Sequence, residues 1–149
     1  MKTEILICVT CQPNGISREE PRAGVHLYEA ITEQVFIDDL PYVVRPIECM
    51  SGCSHACTVA FQAAGKMRYF FGDLDASEES IKQTLQCAQL HANNLNGLIA
   101  WSDRPPRFKK GLIARLPETL GTSAQNSPDH PCHPLTSPEN SPPQSPPAT

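Results

Sequence analysis

Five of the seven cysteines in this chain fall into two tight groups, Cys8-Val9-Thr10-Cys11 and Cys49-Met50-Ser51-Gly52-Cys53-Ser54-His55-Ala56-Cys57. Thiolates are the ligands that iron–sulfur clusters and closed zinc sites use, so separated groups of cysteines that a fold can bring together point to metal or cluster chemistry. A Cys-x-x-Cys pair is equally the material of a dithiol redox centre. No nucleophile triad, phosphate-cradling glycine loop or paired-carboxylate arrangement stands out beside them, so the chain reads as a carrier or accessory protein, not an enzyme.

The elements around the two groups explain how they would meet. Residues 4 to 9, Glu-Ile-Leu-Ile-Cys-Val, form an apolar run suited to a buried strand that delivers Cys8 and Cys11 to its C-terminal end. Pro13, Asn14 and Gly15 then mark a loop. From Gly24 onward Leu27, Tyr28, Ile31 and Val35 recur at helical spacing, as far as Asp38-Asp39-Leu40-Pro41. Tyr42 to Ile47 reads as a second strand, held to a sheet edge by Pro46, and its end delivers Cys49. A strand, crossover helix and strand in one sheet leaves the strands parallel with both C-terminal ends at one edge. Neighbouring strands lie about 4.8 Å apart, a gap that thiolates around a metal can bridge.

Residues 57–62 and 66–71 flank Ala63-Ala64-Gly65 and predict a hairpin. Ser77 is placed to cap a second helix with Glu78 and Glu79 in its first turn. Ile81, Leu85, Ala88, Ala92 and Leu95 make its expected buried stripe, with Cys87 off that stripe as a structural thiol. The order is βαβ then ββα, an α/β domain with a four-stranded mixed sheet over residues 1–120. Residues 98–120 carry Trp101, Pro105-Pro106 and a basic run of Arg104, Arg107, Lys109, Lys110 and Arg115. Eight of the fifteen prolines lie between Pro128 and Pro147, and residues 121–149 read as a disordered Pro/Ser-rich tail. Cys132, with His130 and His133, imitates a ligand cluster there, but holding a geometry among prolines would cost much chain entropy.

The formal net charge of −4 offers no general attraction to nucleic acid or to an anionic membrane. No stretch approaches the roughly 20 apolar residues of a membrane span, and the run before Val9 is too short for a signal peptide's apolar region. The reading is therefore of a cytoplasmic protein, where thiols stay reduced and metal binding or redox chemistry is favoured over a disulfide framework.

The strand and helix order, with one cysteine pair after the first strand and a CxxxC pair after the second, resembles the thioredoxin-fold [2Fe-2S] ferredoxins. The segment Cys49-Met-Ser-Gly-Cys53-Ser-His-Ala-Cys57-Thr-Val-Ala-Phe, continuing to Phe70-Phe71-Gly72-Asp73-Leu74, more closely resembles a bacterial family of small uncharacterised metal-binding proteins related to those ferredoxins. That family often accompanies cobalamin-synthesis genes, which implies a place in cobalamin or tetrapyrrole metabolism. The resemblance covers roughly residues 4–120, including Trp101 and the Arg-Pro-Pro-Arg-Phe-Lys-Lys-Gly run, and implies a thioredoxin-like βαβ-ββα sandwich. It implies [2Fe-2S] ligation by Cys8, Cys11, Cys49 and Cys53. The first pair is closer in sequence than in the ferredoxins, and Cys57 is an additional thiol that can replace Cys8 as fourth ligand.

Three functions follow from these residues. The first is a [2Fe-2S] electron carrier serving a redox partner enzyme, with the oligomeric state open and a homodimer as one option. The second is zinc or cobalt binding without electron transfer. The third is a thiol–disulfide protein, weakened because Gln12-Pro13-Asn14-Gly15 follows Cys11 where such proteins start a helix. His55 reads as a loop residue or one supporting the ligands from outside, the basic run as a solvated face or a docking surface for an acidic partner, and Gly52 as a close backbone approach to the sulfurs or equally a plain turn.

Overall fold

A computed structural model describes residues 2–17 and 21–118; the tail from residue 121, with His130, Cys132 and His133, lies outside the described residues. The elements run β1 (Glu4–Cys8), α1 (Ala23–Ile37), β2 (Val43–Ile47), β3 (Val59–Gln62), β4 (Arg68–Phe71), α2 (Glu78–Asn93), α3 (Pro106–Lys110) and β5 (Leu112–Leu116). They build one mixed sheet in the order β2-β1-β3-β4-β5. Strand β1 pairs parallel with β2 and antiparallel with β3, and β3, β4 and β5 continue antiparallel. The β2-β1-β3-β4 core with its βαβ and ββα halves is the thioredoxin-like arrangement. Pro46 sits on the outer strand β2, opposite Ile7, where its missing N–H breaks no interior ladder.

The sheet has five strands, one more than expected. Leu112–Leu116 pairs with β4 through Arg68↔Leu116, Tyr69↔Arg115 and Phe70↔Ala114, with an irregularity at Phe70/Phe71. Its five residues follow a run of cations and lie half-buried or exposed at an edge, so neither a clean alternation nor an apolar run marks them.

Ile5, Ile7, Val59, Phe61, Tyr69 and Phe71 point to the covered face of the sheet, and all are buried. Phe108 from α3 meets Phe71 edge-on, with ring centroids 4.8 Å apart. Fully burying each of these side chains contributes about 1.5–3 kcal/mol. Helix α1 packs over β1 and β2, and α2 packs beside α1 and against α3.

Helix α2 departs from its expected face. Its buried residues are Ser80, Gln83, Thr84, Cys87, Ala88 and His91, whereas Ile81 and Leu85 are half-buried and Leu95 is 96% exposed. A stripe read from hydrophobicity alone misses this face because its polar groups are hydrogen-bonded. The Thr84 hydroxyl donates to the Ser80 carbonyl at 2.7 Å, and the Gln83 amide oxygen accepts from Arg107 N–H at 3.0 Å. Cys87 therefore lies in the core, where burial pushes its thiol up to about 12. Ser77 caps the helix as expected, accepting from Ser80 N–H.

His91 is the most consequential of these polar residues. Its Nε2 lies 2.8 Å from the Met67 carbonyl, which can only accept, so Nε2 carries the proton and Nδ1 accepts from the Thr3 hydroxyl at 3.0 Å. Burial holds the imidazolium form down, with Lys66 adding repulsion and the Met67 carbonyl opposing both. A folded pKa below the unfolded value near 6.5 means that this stability is fully present above about pH 6.5 and drains away as pH falls through the folded pKa. Urea unfolding should show stability dropping below pH 6.5, by at most about 1.4 kcal/mol per pH unit from this one proton. A His91→Gln protein should lose that part of the slope; an unchanged slope would clear His91 of the effect.

The basic run is dispersed. Arg104 is buried, donating from Nε and Nη2 to the Ile99 carbonyl at 3.0 and 2.8 Å and lying over the Tyr69 ring. Arg107 pairs with Asp75 at 3.1 Å. Trp101 is exposed and receives Lys109 over its ring, 4.9 Å from the centroid. Among the described residues no helix is long and apolar enough to cross a membrane.

Candidate metal centre

The parallel β1–β2 pair brings the two cysteine groups to one sheet edge, as the crossover argument requires. Cys8 ends β1, and its sulfur lies 3.5 Å from the Thr10 hydroxyl and 4.0 Å from the Glu48 carbonyl oxygen, the residue before Cys49. The Thr10 hydroxyl also donates to the Glu48 carbonyl, tying the two loops together.

Cys11 is held by the start of α1. The loop after it returns so that Gly24 N–H donates to the Cys11 carbonyl at 3.0 Å and Ala23 N–H donates to the Gln12 side-chain oxygen at 2.8 Å. Arg22 reaches the Thr10 carbonyl at 3.2 Å. Gln12 thus caps a helix that has no cap from its own N-cap residue, Arg22. No helix follows Cys11 immediately, as the loop residues predict, but the N-terminal end of α1 still arrives at the cysteine. Close approach is possible because residue 24 is glycine, where a Cβ would stand 2.1 Å from the Cys8 carbonyl oxygen and 3.2 Å from Cys11 Cβ.

Cys57 precedes β3 and is fixed by a two-way bridge to Leu74, with N–H···O distances of 3.0 and 3.2 Å. The next residue, Thr58, accepts from Cys8 N–H at its carbonyl and lies 3.5 Å from the Cys11 sulfur at its hydroxyl. Cys8, Cys11 and Cys57 are all buried. Cys49 and Cys53 are exposed on the intervening loop, Cys49 accepting from Ser51 N–H at 3.4 Å and Cys53 opening a short 3₁₀ turn, Cys53–His55. Of the residues singled out by sequence, the fold gathers Cys8, Cys11 and Cys57 and leaves Cys49 and Cys53 at the surface beside them.

The electrostatics follow from that gathering. A hydrogen bond from Cys57 is the main influence pushing the Cys11 thiol down; burial opposes it, while Thr58 and Cys8 assist. Cys57 is pushed up by its hydrogen bond to Cys11, by burial, and by the charges of Cys11, Cys8 and Asp75. The pair therefore gives up one proton readily and holds the second. The N-terminal end of α1 beside Cys11 favours the same single negative charge.

Sequence reasoning overlooked Gln12, Gly24 and Thr58, whose residue types announce nothing; a glycine at the start of a helical pattern was the one available signal. His55 pairs with Asp73 at 3.1 Å on the exterior. Gly52 makes its close approach to Thr58 and Phe70, where a Cβ would stand 2.6 and 2.8 Å away, and not to the sulfurs. A groove of about 740 Å³ between α1 and α2, lined by Leu40, Tyr42, Ile81 and Leu85 among others, has no cysteine in its lining.

In donor chemistry the cysteines fit a thiolate-bound metal or cluster, and three of them converge at one edge. Among the described residues, however, no group of three or more His, Cys, Asp or Glu side chains is placed to hold a metal ion.

The model of a family described as a protein of unknown function, DUF1636, matches residues 5–118. No curated protein matches the chain. Among solved structures, a thioredoxin-like [2Fe-2S] ferredoxin from Aquifex aeolicus is 16% identical with a TM-score of 0.48, over 76% of this chain and 92% of that one. A second structure of the wild-type ferredoxin is 16% identical with a TM-score of 0.43, over 76% of this chain and 97% of that one. The likeness is loose, and the fold assignment stands on the strand order and connections described above.

Proposed function

The chain belongs to the DUF1636 family of proteins of unknown function, and we propose that it is a small thiolate-ligated metal-binding protein, a [2Fe-2S] electron carrier and not an enzyme. The observation that carries this reading is the burial of Cys8, Cys11 and Cys57, brought from two separate segments into one core beside a loop bearing two further thiols. A [2Fe-2S] cluster takes four cysteines, and it would supply one-electron transfer when bound. In this reading Cys8, Cys11 and Cys57 are the inner ligands and the Cys49–Cys53 loop provides the fourth.

The protein's own groups support that role. Thr58 and the first turn of α1 orient Cys11 and favour its thiolate, and burial keeps water from the inner sulfurs. An electron carrier needs a partner enzyme; of the basic run, Lys110 and Arg115 are exposed and available to an acidic one. A role in cobalamin or tetrapyrrole metabolism rests on the sequence resemblance alone.

Zinc or cobalt held by the same thiolates is the second reading, because thiolates do not by themselves select among these metals. Anaerobic purification followed by iron, acid-labile sulfide and zinc analysis separates the two. Iron and labile sulfide in equal amounts are expected. Stoichiometric zinc without sulfide would replace the electron-carrier reading with the metal-handling one.

A further inference from the structure

We propose that the uncovered face of the sheet is a docking site for the chain's own residues 128–134, laid across Met50, Phe70 and Arg68 as an extended proline strip. The three helices all pack into the core on the other face. Side chains alternate along a strand, so Leu6, Ala60, Phe70 and Ala114 point away from that core. They stand opposite one another in a continuous row across β1, β3, β4 and β5. Met50, Arg68 and Leu116 join Ala60, Phe70 and Ala114 in lining a groove of about 260 Å³ there.

Arg68 marks what this groove lacks. Its Nε is buried with no hydrogen-bond partner among the described residues. Glu4, the carboxylate that alternation places on the same face, is taken by Arg45 at 2.8 Å and by the Gln62 amide at 2.7 Å. A desolvated donor without an acceptor costs free energy, so a group that supplies an acceptor completes the face.

The chain leads such a group to the place. Leu116 lines the groove, and Glu118, the last described residue, lies beside Gly65 between β3 and β4. Residues 119–149 follow with no Lys or Arg, and their acids are Asp129 and Glu139. Pro128, Pro131 and Pro134 recur every third residue, the turn of a polyproline II helix, so they form one apolar edge with Asp129 next to it. A strip of this kind docks on an aromatic surface through its side chains. At about 3.1 Å per residue, residues 119–127 reach about 28 Å, against about 14 Å from β5 to β1 at 4.8 Å per strand. Composition gives the segment no core of its own, and it needs none to lie on a ready-made face. Asp129 then accepts from Arg68.

The test follows the full chain, reduced and metal-free, by NMR of isotope-labelled methionine methyl groups, with Met67, which packs against the core, as internal control. The natural sequence is compared with Pro128→Ser/Pro131→Ser/Pro134→Ser and with Asp129→Asn, substitutions that lie outside the described fold and leave its core intact. The Met50 resonance is expected to shift when the prolines are replaced while Met67 stays in place, equally at every dilution. The Arg68 Nε–H resonance is expected to shift with Asp129→Asn. A Met50 resonance identical in the natural and proline-replaced proteins would overturn the docking. A difference that fades on dilution would overturn it too, because it assigns the face to a second copy. An Arg68 signal unmoved by Asp129→Asn would overturn the pairing of those two residues. Metal does not enter the readout, so this result and the fate of the metal-binding proposal are independent.

Discussion

A Cys57→Ser protein is expected to bind its metal or cluster at least about 100-fold more weakly than the natural chain, since changes to residues one shell further out already cost 10–100-fold. Serine preserves the size of the side chain and its hydrogen bond toward Cys11, so the fold should survive; what disappears is a soft ligand in a wholly buried position. The effect should be unequal across the cysteines. Cys8→Ser and Cys11→Ser should match it, whereas one of Cys49→Ser and Cys53→Ser should keep most of the metal, because only one loop thiol is needed to complete four. Metal content per chain, with circular dichroism to verify folding, measures this. Full loading of the Cys57→Ser protein would remove Cys57 from the ligand set.

Gly24→Ala is the second substitution with a large expected effect, and here two principles oppose each other. Helix propensity alone favours alanine over glycine by about 1 kcal/mol. Sterics oppose it, because the new Cβ would stand 2.1 Å from the Cys8 carbonyl oxygen and 3.1 Å from the carbonyl carbon, backbone atoms at the end of β1 that cannot turn aside. Overpacking of this kind costs about 1–3 kcal/mol and occasionally more, so after the helix-propensity gain a net loss of about 1–2 kcal/mol is expected. The displaced helix start would also withdraw the Gly24 N–H from the Cys11 carbonyl, so metal affinity should fall together with stability. Gly15→Ala is the control: nothing lies within 4 Å of its Cβ, and only the positive φ of 82° penalises alanine. Equal midpoints for Gly24→Ala and the natural chain in chemical denaturation would contradict the contact.

Much of the cysteine-bearing half of the fold is visible in the sequence. An apolar run, a helical period and a second short strand can be joined in few ways, and the handedness of crossovers leaves one edge for both cysteine groups. The details inside that edge were not visible. Residues 57–62 read as one strand, whereas Cys57 lies two residues before β3 and is bridged to Leu74. The loop from Gln12 concealed a helix end that comes back to its starting point, because contact across a loop leaves no periodic signal. Strand β5 and the polar face of α2 were missed for a related reason. Leu112–Leu116 is a strand because Arg68–Phe71 offers it a ladder, and Gln83 and His91 are buried because their partners, Arg107, Thr3 and Met67, lie elsewhere in the chain.

The central claim, that this chain holds a metal through its cysteine sulfurs, is tested most directly by X-ray absorption at the metal edge of the anaerobically purified full chain. An inner shell composed entirely of sulfur at about 2.3 Å is predicted, whether the metal proves to be cluster iron or zinc. A shell dominated by nitrogen and oxygen, or a chain that binds no metal after anaerobic reconstitution, would contradict it.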